Sequence, residues 1–139
     1  MQEEIKARHM GYQSYKSLEI YQQAHKLAVE IHEMSLQSLP AFEKYEEGSQ
    51  IRRSSKSAVA NMVEGFGMRR YVKEFIRYLT LSHASTDETK EHLEILYETK
   101  SLRDKELFIY FLNQYEELGR KIYAFIRSVQ KQHMVKVRE

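Results

Sequence analysis

DKELFIYFLNQYEELGRKIYAFIRSVQKQ, residues 104–132, is the stretch of sequence that decides the fold. Its large apolar residues recur every three or four positions, which is the spacing of an amphipathic α-helix. The series comprises Leu107, Phe108, Phe111, Leu112, Tyr115, Leu118, Ile122, Phe125, Ile126 and Val129. A helix with one long apolar side needs other helices to cover that side. The stretch therefore predicts an all-α fold.

Three more helical segments precede this one, and helix breakers mark their ends. Pro40 is the one proline in the chain, and it ends the first segment because it has no backbone N–H to continue a helix. Gly65-Phe66-Gly67 is predicted to be the turn after the second segment. The four predicted helices cover residues 17–39, 43–64, 71–100 and 104–132. Helices of this length with short connections predict an antiparallel up-down four-helix bundle.

The chain of 139 residues has the length of one domain. We expect residues 1–16 to form a flexible arm, residues 17–132 to form the bundle, and residues 133–139 to fray. The N-terminus has no apolar run typical of a signal peptide, and no stretch is long and apolar enough to cross a membrane. The absence of cysteine excludes disulfides and thiol catalysis. These features predict a cytoplasmic protein with no membrane partner.

The buried faces follow from the same spacing. The first predicted helix presents a core stripe of Ile20, Ala24, Leu27, Ile31 and Met34. The third helix places Ser82, Ser85, Thr86 and Thr89 on or near the face that should be buried. We favour close approach of two helices through small side chains over a polar site as the explanation.

The first and fourth helices also carry apolar or histidine residues outside a single stripe. Bundle helices normally bury one stripe, and additional apolar rows indicate a partner surface. The sequence thus predicts self-association of the chain. The predicted interface residues are Leu18, His25, Val29, His32 and Leu36 on the first helix, with Leu107, Phe111, Leu118 and Phe125 on the fourth.

The residue patterns of common enzymes are not found in the sequence. Di-iron bundles use Glu-x-x-His pairs, and this sequence contains none. The pair Gly65 and Gly67 follows a helix rather than a strand, so it does not fit a dinucleotide-binding loop. Glu64 stands alone beside this turn, and a lone carboxylate at a helix end is more often structural than catalytic. We predict no catalytic site, no metal and no cofactor, and we rank a metal-dependent enzyme last.

Basic residues are concentrated in the middle of the chain. Between residues 52 and 77 there are seven basic and two acidic side chains, a net charge of +5 in a chain of net charge +2. Basic side chains on rigid helices suit the phosphates of nucleic acid, and Tyr71 and Tyr78 among them suit stacking on unpaired bases. The alternative is a solvated face that pairs with the acidic stretch 87–98 of a neighbouring subunit. The predicted nucleic-acid-binding residues are Arg52, Arg53, Lys56, Arg69, Arg70, Lys73 and Arg77.

Two segments of the sequence resemble a known family. LEIYQQAHKLAVEIHEM (18–34) and GSQIRRSSKSAVANMVEGFGMRRYVKEFIRYLTLSHAS (48–85) are similar to the four-helix-bundle proteins encoded in intervening sequences of 23S ribosomal RNA. The matching positions are Gln50, Arg52, Arg53, Asn61, Glu64, Gly65, Lys73, Glu74, Phe75 and Arg77. At position 59, where the family usually has a proline that would bend the helix, this chain has valine.

The resemblance implies an up-down four-helix bundle that assembles as a ring, typically a homopentamer. It also implies kinship with the accessory variability proteins of diversity-generating retroelements, which are thought to bind nucleic acid and a reverse transcriptase. Our hypothesis is a non-catalytic oligomeric accessory protein that binds RNA or a ribonucleoprotein. The alternative is a protein–protein adaptor, for example a partner of a reverse transcriptase, whose charges serve subunit contacts.

Overall fold

A computed structural model describes residues 14–138, with side-chain environments described up to residue 134. Four α-helices follow one another along the chain: α1 is Glu19–Gln37, α2 is Glu47–Gly67, α3 is Val72–Glu98 and α4 is Lys105–Arg138. Short 3₁₀ helices precede α1 and α2, at Tyr15–Ser17 and Ala41–Tyr45. Residues 14–138 contain no strand, so the predicted all-α class is confirmed. Most of the predicted N-terminal arm lies outside the described residues.

Each helix packs on the next along the chain, and α4 returns to α1. The side chain of Asp104 begins α4 by accepting a 3.1 Å hydrogen bond from the backbone N–H of Leu107, the usual role of an N-cap residue. The helix then continues to Arg138, beyond the end predicted near residue 132. None of the described helices is long and apolar enough to cross a membrane.

The predicted turn at Gly65-Phe66-Gly67 is wrong, since α2 continues to Gly67 and the chain turns at Met68–Tyr71. Gly65 serves another purpose. A Cβ atom built at Gly65 would lie 2.9 Å from the Cβ of Tyr78 on α3, closer than van der Waals contact allows. Glycine is needed here because two helices approach closely.

The bundle core contains the residues predicted for the α1 stripe, all of which are buried. It also contains four residues that we had predicted on the outside: Leu18, Phe111, Leu118 and Phe125. That prediction is wrong for two reasons. Leu18 has an extended backbone before α1 begins, so helical spacing does not apply to it. The other three belong to α4, which contacts both α3 and α1 and therefore buries a wider arc than one stripe.

Small polar side chains join α2 to α3 in the interior. Ser82 Oγ donates a 2.6 Å hydrogen bond to the carbonyl of Ala58, and Thr89 Oγ1 donates one of 2.8 Å to Ser54 Oγ. Each buried hydroxyl of this seam has a partner, which offsets the loss of its water. The predicted burial of Ser82, Ser85, Thr86 and Thr89 is confirmed.

Long polar side chains bridge α1 to α4, the first and last helices of the bundle along the chain. Tyr110 Oη donates a 2.7 Å hydrogen bond to Glu30, and Lys121 Nζ donates one of 2.7 Å to Glu19. Between these bridges, Tyr115 is 1% exposed, and its hydroxyl has no hydrogen-bond partner among the described residues. The contact between α1 and α4 is thus partly polar.

Candidate nucleic-acid interface

The seven predicted nucleic-acid-binding residues fall into two groups. Arg52, Arg53 and Lys56 lie in the first half of α2, whereas the other four lie at or after its C-terminal end. From Lys56 to Arg69 a helical path of 13 residues spans roughly 20 Å. The two groups therefore lie toward different ends of the α2–α3 hairpin and do not form one patch.

Arg52 is occupied within the protein. Its guanidinium donates a 2.9 Å hydrogen bond to Ser35 Oγ on α1 and a 2.6 Å hydrogen bond to the carbonyl of Lys44 in the loop before α2. The side chain thus fastens the connection between α1 and α2. Those contacts assign Arg52 a structural role. Its immediate neighbour Arg53, by contrast, is exposed.

Lys56 lies beside a histidine on the first helix. Its Nζ atom lies 3.1 Å from His32 Nδ1, which is within hydrogen-bond distance. Both side chains line a groove between α1 and α2, together with His25 and Val29. The outward-facing part of the predicted α1 row, which is His25, Val29, His32 and Leu36, therefore lies at the surface. On α4 the predicted interface residue Leu107 is partly buried against the core.

The second group surrounds the α2–α3 turn, and we call Arg69, Arg70, Lys73 and Arg77 the turn cluster. Its three guanidinium groups all lie over aromatic rings, and Arg70 is 5.8 Å from the ring centroid of Tyr71. Arg69 lies 4.1 Å from the ring centroid of Phe66, and Arg77 lies 4.5 Å from that of Tyr78. Such contacts restrain a long side chain while leaving its charge at the surface.

The charge of the turn cluster is only partly neutralised. Arg77 pairs with Glu74 at 3.1 Å, and this hydrogen bond raises the pKa of Arg77 above its usual value. Arg70 and Lys73 are exposed and have no carboxylate partner within residues 14–138. Tyr71 stands between them with 58% of its surface exposed. Two cations without a carboxylate partner among the described residues thus adjoin an aromatic ring, which the Arg70 guanidinium approaches to 5.8 Å.

Sequence reasoning overlooked a second set of surface features. Phe42 and Tyr45, in the 3₁₀ helix before α2, are among the most exposed large side chains described. Their only sequence signal is two aromatic residues close behind Pro40.

A second recess, between α3 and α4, is lined by charged residues including Asp87, Lys90 and Glu116. Within the described residues, no three histidine or carboxylate side chains are grouped so as to hold a metal ion.

Comparison with known proteins identifies relatives of this bundle. A family model for the 23S rRNA-intervening sequence protein matches residues 16–124. A crystal structure of a protein of unknown function from the S23 ribosomal protein family of Bacteroides thetaiotaomicron superposes with a TM-score of 0.70. The two chains are 22% identical over 77% of this chain and 97% of the other, so the likeness concerns the fold. No curated protein matches the chain.

Proposed function

Because the chain belongs to the 23S rRNA-intervening sequence protein family, we propose that it is a non-catalytic, homo-oligomeric accessory protein that binds RNA. The observation that carries this proposal is the turn cluster. Arg70 and Lys73 are exposed and have no carboxylate partner within the described residues, and they adjoin the exposed ring of Tyr71, to which the Arg70 guanidinium lies 5.8 Å from the centroid. Arg53 and Lys56 form a second, smaller contact point along α2.

The basic residues of the turn cluster and the neighbouring Tyr71 suit different parts of a nucleic acid. Lysine and arginine attract phosphates without reading sequence, and this attraction weakens as salt is added. An exposed tyrosine stacks on an unpaired base, because every base presents a flat face. A single-stranded or looped RNA offers both groups together, whereas a duplex hides its bases within the stack.

The proposed assembly is a ring, with a pentamer as the expected number of copies. A ring repeats the turn cluster once per subunit, so several weak contacts add up to strong binding of one long RNA. Light scattering tests the assembly directly. A particle that remains at the 16.6 kDa mass of one chain at all concentrations would rule out the ring.

The RNA-binding proposal is tested by titration. We would measure the anisotropy of labelled single-stranded RNA, hairpin RNA and single-stranded DNA at several salt concentrations. The variant Arg70→Glu/Lys73→Glu should lose at least about tenfold in affinity at low salt. Its salt dependence should be shallower by roughly two phosphate contacts, since each contact contributes about one to the slope.

A matched variant controls for the change in net charge. Lys26→Glu/Arg103→Glu changes two exposed cations that lie away from the α2–α3 turn and alters the net charge by the same amount. It should retain most of the affinity. Equal losses in both variants would mean that only overall charge matters, and no binding by the unmodified protein at low salt would end the proposal.

The adaptor alternative is favoured by a different observation, the exposed aromatic pair of Phe42 and Tyr45. Exposed aromatic side chains are enriched in protein interfaces. If the protein binds no nucleic acid but assembles or binds a protein such as a reverse transcriptase, the adaptor role replaces the RNA-binding role. In that case the turn cluster serves contacts between proteins.

A further inference from the structure

The last helix carries basic residues to the same end of the bundle as the turn cluster. Tyr97 on α3 stacks on Phe108 on α4, and Phe75 lies against Phe125 with the ring centroids 6.0 Å apart. The two helices therefore run antiparallel. Lys131 is six residues beyond Phe125, or about 9 Å further along α4, so it lies level with the α2–α3 turn.

This part of α4 has an exposed ring beside exposed cations, and we call Tyr123, Arg127 and Lys131 the α4 patch. Tyr123 is 54% exposed, and its hydroxyl accepts a 3.4 Å hydrogen bond from Arg127 Nη1. Lys131 is four residues after Arg127 and therefore lies on the same side of the helix. The α4 patch thus has the same make-up as Arg70, Tyr71 and Lys73: one tyrosine next to two basic residues.

The α4 patch and the turn cluster border the same groove. The ring of Tyr123 lies 6.4 Å from that of His83 on α3, and it lines the α3–α4 recess together with Asp87. Residues seven apart lie on nearly the same side of an α-helix, so Lys73 shares its side of α3 with Thr80 and Asp87. Lys73 therefore borders the end of this groove that is nearest to the α2–α3 turn.

The cations of the α4 patch are not neutralised. Arg127 and Lys131 have no carboxylate partner within the part of the chain that the structure describes. The sequence has no aspartate or glutamate from residue 118 to residue 138. Glu64 is exposed near the turn, but it belongs to α2, which packs on α1 and α3.

Other carboxylates at this end of the bundle already have basic partners. Glu74 pairs with Arg77 at 3.1 Å. Glu19 and Glu117 both pair with Lys121, at 2.7 Å and 2.9 Å. An approaching phosphate therefore meets the unpaired charge of Arg127 and Lys131.

The acidic residues of the α3–α4 recess mark where the basic surface ends. Asp87 and Glu116 line the recess with Lys90 and Arg120, and Asp87 pairs with Lys90 at 3.3 Å. Since these charges are mixed, we leave Arg120 out of the α4 patch. Asp87 is fourteen residues beyond Lys73, or about 21 Å along α3, so a strand held at Lys73 stays clear of it.

We infer that one RNA strand crosses this groove from the turn cluster to the α4 patch. The inference rests on the proposed RNA-binding function and extends its contact surface to α4. Phosphates lie against Lys73, Arg127 and Lys131, while one base stacks on Tyr71 and another on Tyr123. Two separate rings can hold two bases only where the bases are unpaired, so the ligand is single-stranded or looped RNA.

The separation of the two rings sets a minimum length for this RNA. Tyr123 is level with α3 near residue 80, so Tyr71 lies roughly 14 Å away along the bundle. Neighbouring helix axes add roughly 9 Å across it. Because a stacked strand rises about 3.4 Å per nucleotide, about six nucleotides reach both rings.

Tryptophan reporters test whether RNA reaches both rings. The chain has no tryptophan, so Tyr71→Trp and Tyr123→Trp each introduce a single indole. Single-stranded RNA of eight nucleotides should quench the fluorescence of both, because each indole stacks on a base. Tyr45→Trp is the control, since Tyr45 is 80% exposed at the opposite end of the bundle, and its fluorescence should not change.

A second variant measures what the α4 cations contribute. Arg127→Gln/Lys131→Gln should lose about tenfold in affinity for the eight-nucleotide RNA at low salt, with a salt dependence shallower by roughly two contacts. Binding of a trinucleotide, followed through Tyr71→Trp, should not change because it is too short to reach α4. Arg103→Gln/Lys105→Gln removes the same charge from exposed positions at the opposite end and should retain full affinity.

Combining the reporter with the turn-cluster variant tests whether one strand makes both contacts. In the Tyr123→Trp protein, Arg70→Glu/Lys73→Glu should raise the RNA concentration needed for quenching at least about tenfold. An unchanged midpoint would mean that the α4 patch binds RNA independently, and the single-strand path would be wrong. Circular dichroism checks that each variant is folded.

The outcomes separate this inference from the proposed function. If the unmodified protein binds no RNA, the proposed function and the inference fail together. If binding needs Arg70 and Lys73 while Tyr123→Trp stays unquenched and Arg127→Gln/Lys131→Gln keeps full affinity, the proposed function stands. In that case the turn cluster binds RNA without α4, and only this inference is wrong.

Discussion

Arg52 on α2 donates a 2.6 Å hydrogen bond to the backbone carbonyl of Lys44, and this bond ties the 3₁₀ helix to the bundle. The same guanidinium reaches Ser35 on α1. Replacing Arg52 leaves the carbonyl and the hydroxyl without their charged donor. Bonds from a charged group contribute more than neutral ones, so this side chain stabilises three segments at once.

We therefore predict that Arg52→Ala lowers the free energy of unfolding by about 1–3 kcal/mol. Urea denaturation followed by circular dichroism measures the change. Arg53→Ala is the control, because Arg53 is exposed and such surface changes usually stay within about 0.5 kcal/mol. If the two variants are equally stable, the structural role of Arg52 is refuted.

Two glycines near the end of α2 should respond in opposite directions. Gly65→Ala places a methyl group 2.9 Å from the Cβ of Tyr78 and should destabilise the protein by about 1–3 kcal/mol, since α2 and α3 must separate. A Cβ at Gly67 meets nothing within 4 Å. Gly67→Ala should stabilise by up to about 1 kcal/mol, because alanine restricts the unfolded chain. Thermal and urea unfolding give both signs, and a stabilising Gly65→Ala would contradict the close approach.

Tyr115→Phe should stabilise the protein. The hydroxyl of Tyr115 is buried without a partner in the described part of the chain, and burial raises its pKa. Removing an unsatisfied polar atom while keeping the ring should raise the free energy of unfolding by about 1 kcal/mol. A loss of stability would mean that the hydroxyl has a bound partner, such as an ordered water.

The bridge between Tyr110 and Glu30 predicts a dependence on alkaline pH. The hydrogen bond to Glu30 raises the pKa of Tyr110 from 10.0 to about 12. The folded state therefore holds this proton more tightly than the unfolded state, so the bridge stabilises fully below about pH 10. That contribution falls as the pH rises through about 12.

Tyr110→Phe provides the comparison for the pH series. At neutral pH the variant should be less stable than the unmodified protein, and the difference should shrink above about pH 10. Absorbance of tyrosinate should show one late-titrating tyrosine fewer in the variant. A difference in stability that stays constant across the alkaline range would contradict the bridge.

The sequence predicted the fold well because the helical period alone determines which side of a helix is buried. Ile20 and Met34 were placed in the core correctly for this reason. The period does not tell how wide the buried arc is. Phe111 and Phe125 were therefore placed on the outside, although α4 has two neighbours and buries both sides of its stripe.

The candidate site was predicted less completely, because contacts between distant residues decide what a charge does. Arg52 and Arg53 are adjacent and equivalent in sequence, yet only Arg52 meets Lys44 and Ser35. This difference depends on the packing of whole helices. The pairing of Arg77 is local instead, because its partner Glu74 lies three residues earlier on the same helix, a spacing that the sequence itself shows.

The polar bridges between α1 and α4 have a consequence for the order of folding. The residues that Lys121 and Glu19 bring together are 102 positions apart, whereas Thr89 and Ser54 in the α2–α3 seam are 35 apart. Closing a longer loop costs more chain entropy, and a polar contact at the surface returns little energy for that cost. We expect the α2–α3 hairpin to form early and α1 to meet α4 last. When the bundle opens, α1 and α4 should therefore separate first.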